Sequence, residues 1–228
     1  MLTKQSELAL TFNFVLIPSK NYYKIEVSGG VFVIKSINLL NREYKNYKNV
    51  YEKIETEKRN NRLYKIKRGL YVNEKTSNLF YIANNIYSPS YVSFETALAF
   101  YGLIPERVQI IKSATFKKNK IKKYENEFGT FVYQDVYFKA YPYDIDSFEE
   151  NGDKILIASK EKAILDTISL IKNINSIDEI KELLFEDLRI NEVVFEKLDF
   201  NKVLELTAYY ISRTIKLFVQ YIKKELLS

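Results

Sequence analysis

Two kinds of side chain in this 228-residue chain could do chemistry: carboxylates set beside lysines, and cations grouped to hold phosphate. The usual nucleophiles and ligands are missing. There is no cysteine and no histidine, which removes thiolate chemistry, disulfides, zinc–thiolate sites and the commonest general base. A metal would have to be held by carboxylates alone. Asp144, Asp146, Glu149, Glu150 and Asp153 crowd one stretch, but without EF-hand spacing and with the glycine at 152. A solvated acidic loop is the expected form. In "SKEKAILD", 159–166, Glu161, Lys162 and Asp166 could be drafted as an acid–lysine centre. Glu161 and Asp166, five residues apart on a helix, do not face one another. Ser159 and Glu161 instead suit a helix start, as cap and first-turn acid. No catalytic residue, metal site or cofactor is expected.

The cations point elsewhere. "RLYKIKRGLYV", 62–72, sets Arg62, Lys65, Lys67 and Arg68 among apolar residues, with Arg59 just upstream. Residues 42–75 hold eleven Lys or Arg against five acids, and 110–123 hold six lysines and no acid. Residues 144–205 reverse the sign, with sixteen acids and eight bases. The overall charge of +6 says less, because Lys, Asn, Ile and Tyr are all abundant, as an AT-rich genome produces. Segregated charge suggests different faces for different partners.

These cations need elements to position them. Hydrophobic content of 46% supports a packed core. No run approaches the ~20 apolar residues of a membrane span, so a cytoplasmic protein is expected. Residues 1–32 read as an extension of one of two kinds. It is either a native strand pair, or a stretch translated through a ribosome-binding sequence ahead of a valine start at Val33. From there "IKSINLLNR" puts Ile34, Ile37 and Leu40 on a helical stripe. "NYKNVYEKIETEKRNN", 46–61, predicts a second helix with Asn46 as its cap and Tyr47, Val50, Tyr51 and Ile54 as its apolar face. A short strand pair follows, with Gly69 able to supply a turn at positive φ. Helix, turn and strand pair over 33–75 form an abbreviated winged helix-turn-helix, although a full three-helix core needs more residues than 33–61 comfortably hold. In such a module Lys48, Asn49 and Lys53 could reach base edges, with Lys45 near the helix start. Arg62, Lys65, Lys67 and Arg68 would lie along phosphates. The alternative is a solvated amphipathic helix and hairpin.

"EKTSN", 74–78, is the expected boundary, and 76–228 a mixed α+β domain with a helical tail. Helices are predicted at "NLFYIANNIYS" and "SYVSFETALAFYGLIPE", the latter started by Ser93 and stopped by Gly102 and Pro105. Strands are predicted at "RVQIIKSAT", "FGTFVYQD", "VYFKAYP" and "DKILIAS". The final stretch, 201–227, reads as one long amphipathic helix with Ile211, Ile215, Phe218, Ile222 and Leu226 in line. The lysines of 110–123 fit a solvated turn, or else a second phosphate contact or a dock for an acidic or RNA-bound partner. Most of the nineteen tyrosines should pack rather than stack on bases.

"RGLYV", "PSYVSFETALAFYGLIPE" and "IASKEKAILD", in this order and at this spacing within residues 44–171, resemble the AbiEi-type antitoxins of abortive-infection (type IV) systems. No single piece is specific; the three in order are. The family often has proline where this chain has Lys160. The resemblance implies a non-enzymatic antitoxin that counteracts a nucleotidyltransferase-like toxin, often without a stable complex. It also implies repression of the protein's own operon, by winged-helix binding to inverted repeats in the promoter. Carried over, Lys48, Lys53, Arg62, Lys65, Lys67 and Arg68 become DNA-facing, while Tyr91, Ser93, Ala97, Leu98 and Gly102 look like fold determinants. The short N-terminal module is the departure from the family that bears on operator binding. Two rivals remain at this stage. One is a stand-alone winged-helix regulator whose C-terminal domain senses a ligand or partner in an apolar pocket. The other is a carboxylate–metal nuclease.

Overall fold

The computed structural model describes residues 17–19, 22–24, 33–73, 78–105, 109–150 and 153–226. Most of the 1–32 stretch, expected as either a native strand pair or a translated leader ahead of Val33, lies outside the described residues, as does the boundary expected at 74–78 apart from Asn78. Within 1–32 a short antiparallel pair is described, β1 (Ile17–Ser19) with β2 (Tyr22–Lys24). The protein is mixed α+β and divides into two compact units. One is Met1–Tyr64 with Tyr71–Lys75; the other is Lys65–Leu70 with Thr76–Ser228. Among the described residues, no helix is long and apolar enough to cross a membrane.

In the first unit, β3 (Ile34–Ser36) runs into α1 (Ile37–Glu43), so Ile34 is in a strand and not on the helical stripe. Ser36 starts the helix, its hydroxyl accepting from Leu39 N at 3.2 Å. The second helix, α2 (Val50–Arg59), begins later than the apolar spacing suggests. Its cap is Asn49, not Asn46: Asn49 Oδ1 accepts from Glu52 N at 3.2 Å. Glu52 sits in the first turn, and Lys58 and Arg59 in the last, as the helix dipole favours. The later start leaves Tyr47 and Tyr51 exposed, while Leu40, Ile54, Leu63 and Tyr71 form the core. Ile37, Tyr44 and Val50 pack against that core. A hairpin joins β4 (Tyr64–Lys67) to β5 (Leu70–Val72), with its Lys65–Leu70 portion counted in the second unit, and the sheet order is β3-β5-β4. Gly69 turns it at φ +76°, a conformation that costs glycine nothing.

The second unit is built on a six-stranded sheet of order β10-β11-β6-β7-β9-β8. Its strands are β6 (Tyr91–Val92), β7 (Ile110–Thr115), β8 (Lys122–Asn126), β9 (Gly129–Asp135), β10 (Ile145–Glu150) and β11 (Asp153–Ala158). The β11–β6 and β7–β9 pairs are parallel and the others antiparallel. The expected strand at "VYFKAYP" is instead a turn. Val136 N extends the ladder once, to Thr115 O, and then Ala140 N and Tyr141 N both bond back to Tyr137 O. The stretch expected to be an acidic loop is the β10–β11 hairpin, and the C-terminal end of the lysine-rich stretch opens edge strand β8.

Helices α3 (Leu79–Ile86) and α4 (Phe94–Phe100) pack on this sheet, and α5 (Lys160–Ser169) lies against α4 and β11. α6 (Ile177–Glu182) continues as a π-helical turn, Leu183–Asp187, and is followed by α7 (Glu192–Phe195). The expected long terminal helix is broken into α8 (Phe200–Thr207) and α9 (Arg213–Glu225). The break leaves Ile211 71% exposed, while Ile215, Phe218 and Ile222 are buried as expected. Both helices pack on α5, which is buried from Glu161 through Ser169.

Candidate nucleic-acid interface

The eight residues singled out for DNA contact fall into two groups. Lys45 and Lys48 stand exposed in the turn between α1 and α2, and Lys65 and Arg68 stand exposed on the hairpin. None of these four has an ion-pair partner among the described residues. The other four are engaged. Asn49 Oδ1 caps α2. Lys53 Nζ lies 2.6 Å from Glu57 Oε1, and Arg62 grips the same carboxylate with Nε at 2.8 Å and an NH2 bond at 3.1 Å. The ammonium of Lys53 also sits 4.7 Å from the Tyr47 ring centroid. Lys67 turns inward within the second unit and donates to Ile86 O.

The electrostatics follow these contacts. The hydrogen bond from Lys53 holds the Glu57 carboxyl below the usual carboxylate range; burial opposes it and Arg62 reinforces it. The same bond raises Lys53. Burial pushes Lys67 down, the opposite of what a phosphate-binding lysine needs. The hairpin tip is fixed within its unit by a second bond, from Asn126 Nδ2 to Ile66 O at 2.8 Å. Glu57 is the residue that sequence reasoning missed. Its i,i+4 spacing from Lys53 was the available signal, obscured by reading the helix face for cations alone.

The acid–lysine stretch of α5 takes a form that the sequence only half suggests. Glu161 and Asp166 do not meet. Lys162 and Asp166 do, 3.6 Å apart and both 0% exposed. Lys162 Nζ donates to Ala140 O at 2.7 Å. Asp166 accepts from Tyr210 OH (2.6 Å), Ser93 Oγ (2.8 Å) and Tyr91 OH (2.9 Å). Burial lowers Lys162 against the pull of Asp166, and burial raises Tyr91 and Tyr210 well above the usual tyrosine value. A lysine of lowered pKa can serve as a base, but this one has no exposed surface through which to meet a substrate. Ser93, expected as the α4 cap, makes no cap bond and gives its hydroxyl to Asp166. Ser159 does cap α5, accepting from Lys162 N at 3.1 Å.

Asp144 takes Lys202 at 2.7 Å and the Ser159 hydroxyl, and Asp146 accepts from Tyr101 OH at 3.2 Å. Among the described residues, no group of three or more carboxylates is placed to hold a metal ion. A pocket of about 290 Å³ in the second unit is lined by Asp178, Lys181, Glu182, Phe185, Glu186 and Glu192. No protein-family model and no curated protein matches the chain.

Proposed function

We propose that the chain is an AbiEi-type antitoxin that counteracts a nucleotidyltransferase-like toxin and represses its own operon through an abbreviated winged helix over residues 33–75. The observation that carries the repressor half is the set of four exposed cations, Lys45, Lys48, Lys65 and Arg68, which have no ion-pair partner among the described residues and are displayed by a helix–helix–hairpin order. Lys45 and Lys48 precede the N-terminus of α2, the end of a recognition helix that meets base edges. Lys65 and Arg68 belong to the wing and meet phosphates. Support for the antitoxin half comes from the pieces that carry the family resemblance. Tyr91 and Ser93 of "PSYVSFETALAFYGLIPE" bond Asp166 of "IASKEKAILD", so these pieces interlock as one framework. The pocket bordered by Phe185 has five charged residues among the six that line it.

Seating the two wing cations, Lys65 and Arg68, on duplex phosphates gives a salt dependence of log K with a slope of about −1.8. Gel shifts on the promoter test the wing. Lys65→Glu with Arg68→Glu should weaken binding to all sequences alike, and a normal shift by that double variant would refute the assignment. Co-expression with the product of the adjacent gene tests the antitoxin half. Relief of that product's toxicity is expected, and its absence removes the reading.

A further inference from the structure

The second unit carries a basic surface that the wing does not account for. We propose that the sheet end formed by the β7–β8 turn and the segment after β9 binds single-stranded nucleic acid, with Phe138 as a base-stacking platform and Lys117, Lys120, Lys122 and Lys139 as its phosphate contacts.

The topology brings these residues together. β7 and β9 run parallel and end side by side, Thr115 opposite Asp135. β8 lies on the far side of β9 and starts at the same end, Lys122 opposite Tyr133. The chain from 116 to 121 must therefore cross the end of β9, where Phe138 and Lys139 follow. The crossing is held in one shape. Asp135 Oδ2 accepts from the backbone N–H groups of Lys118 and Asn119, each at 2.7 Å. Lys117 and Asn119 both lie in the left-handed region, at φ +52° and +56°, which a lysine seldom occupies.

The chemistry at this end is cationic and aromatic. Lys117, Lys120 and Lys139 are exposed and Lys122 is half-buried, and none of the four has an ion-pair partner among the described residues. Lys118 rests 5.3 Å from the Tyr87 ring centroid, and Lys123 is neutralised by Glu125. Phe138 is 53% exposed and backed by Phe116 at 5.6 Å, with the Lys117 ammonium 3.6 Å from its ring centroid. Phe116 in turn packs on Tyr141 at 4.3 Å. A duplex hides the faces of its bases, so an exposed ring among lysines suits an unpaired strand, whose bases stack on it. The competing account is that lysines on β8, an edge strand, merely block sheet-to-sheet pairing. That role is served by either sign of charge and has no use for Phe138.

The test uses the full chain with Lys45, Lys48, Lys65 and Arg68 reversed to glutamate, so that wing binding cannot contribute and failure of the operator reading leaves the result interpretable. Anisotropy is measured with labelled dodecamers of dT and U, a hairpin duplex of equal charge, and polyglutamate. Single strands should bind in preference to the duplex, with log K falling against log[salt] at a slope of about −2.8 for four phosphates. Lys117→Glu/Lys120→Glu/Lys122→Glu should abolish this binding while the protein's melting temperature and elution volume stay unchanged. Phe138→Ala should weaken single-strand binding by about 5- to 150-fold, the range of one base stack. Phe138→Leu, which keeps an apolar contact with Phe116, should behave likewise. Four results overturn the proposal: undiminished binding by the charge-reversed variant, no effect of either Phe138 change, equal or tighter binding of duplex, or tighter binding of polyglutamate, which would indicate an acidic protein partner.

Discussion

Removing the Asp166 carboxylate tests how the second unit is held together. Asp166→Ala takes the counter-ion from Lys162, which has no exposed surface, and leaves the hydroxyls of Tyr91, Tyr210 and Ser93 without their common acceptor. Breaking one side of a buried pair costs about 3–5 kcal/mol, because the remaining charge stays uncompensated. For a unit of this size, each kcal/mol lowers the melting temperature by about 2–4 °C. The expected drop is therefore about 6–20 °C. Lys162→Met should cost less. It removes a desolvated charge and leaves Asp166 with three hydroxyl donors. Adding it to Asp166→Ala should restore part of the loss, since the double variant has no orphaned ammonium. The assay is thermal unfolding followed by near-UV circular dichroism, which reports tyrosine packing in a chain without tryptophan. A drop under about 2 °C for Asp166→Ala, or simple additivity in the double variant, would show that the pair is not coupled as described.

Two other perturbations follow from the same contacts. Burial raises Tyr91, Tyr101, Tyr133, Tyr141 and Tyr210, the fourth to about 12. These groups keep their protons in the fold and lose them near the ordinary tyrosine value when unfolded. The stability they add is thus complete below about pH 10 and declines as pH rises above it; a denaturant midpoint that stays constant from pH 9 to 11.5 contradicts this. Glu57→Gln frees Lys53 and Arg62 from their shared carboxylate. If both then reach phosphates, the salt slope of duplex binding steepens by about 1.8. An unchanged slope means they face away from DNA.

Legibility of the sequence followed the range of the forces involved. Local signals located most elements well: Ser159 before α5, Gly102 after α4 at φ +69°, and Gly69 in the hairpin. Periodicity failed where two readings compete. Tyr47, Val50, Tyr51 and Ile54 fit a helix begun at Asn46, but Asn49 caps better and shifts the start, which exposes both tyrosines. The strip from 201 to 227 keeps a helical period across Ala208–Ser212, so the break that places Tyr210 against Asp166 leaves no local trace. Long-range pairing was invisible for the same reason. Nothing near Asp166 in sequence announces that its partners come from Tyr91, Ser93 and Tyr210. The cationic cluster was legible as composition, but its division into free and engaged members depends on Glu57 and on Ile86 O.

That division bears on where function resides. The motifs that carry the family resemblance are, side chain by side chain, mostly interior. Tyr91, Ser93, Ala97, Leu98, Lys162 and Asp166 are all fully buried or nearly so. A buried residue can define a framework but cannot choose a partner. On the function proposed above, selectivity for a partner comes from side chains that the framework leaves outside, such as Lys45 and Lys48, Lys65 and Arg68, or Lys117, Lys120 and Phe138. Substitutions in the first class should act through stability, lowering every activity together. Substitutions in the second should separate one activity from another while melting temperature stays constant. A charge reversal at Lys65 and Arg68 that destroyed toxin relief along with promoter binding, in a protein of normal melting temperature, would mean that the two roles share one surface.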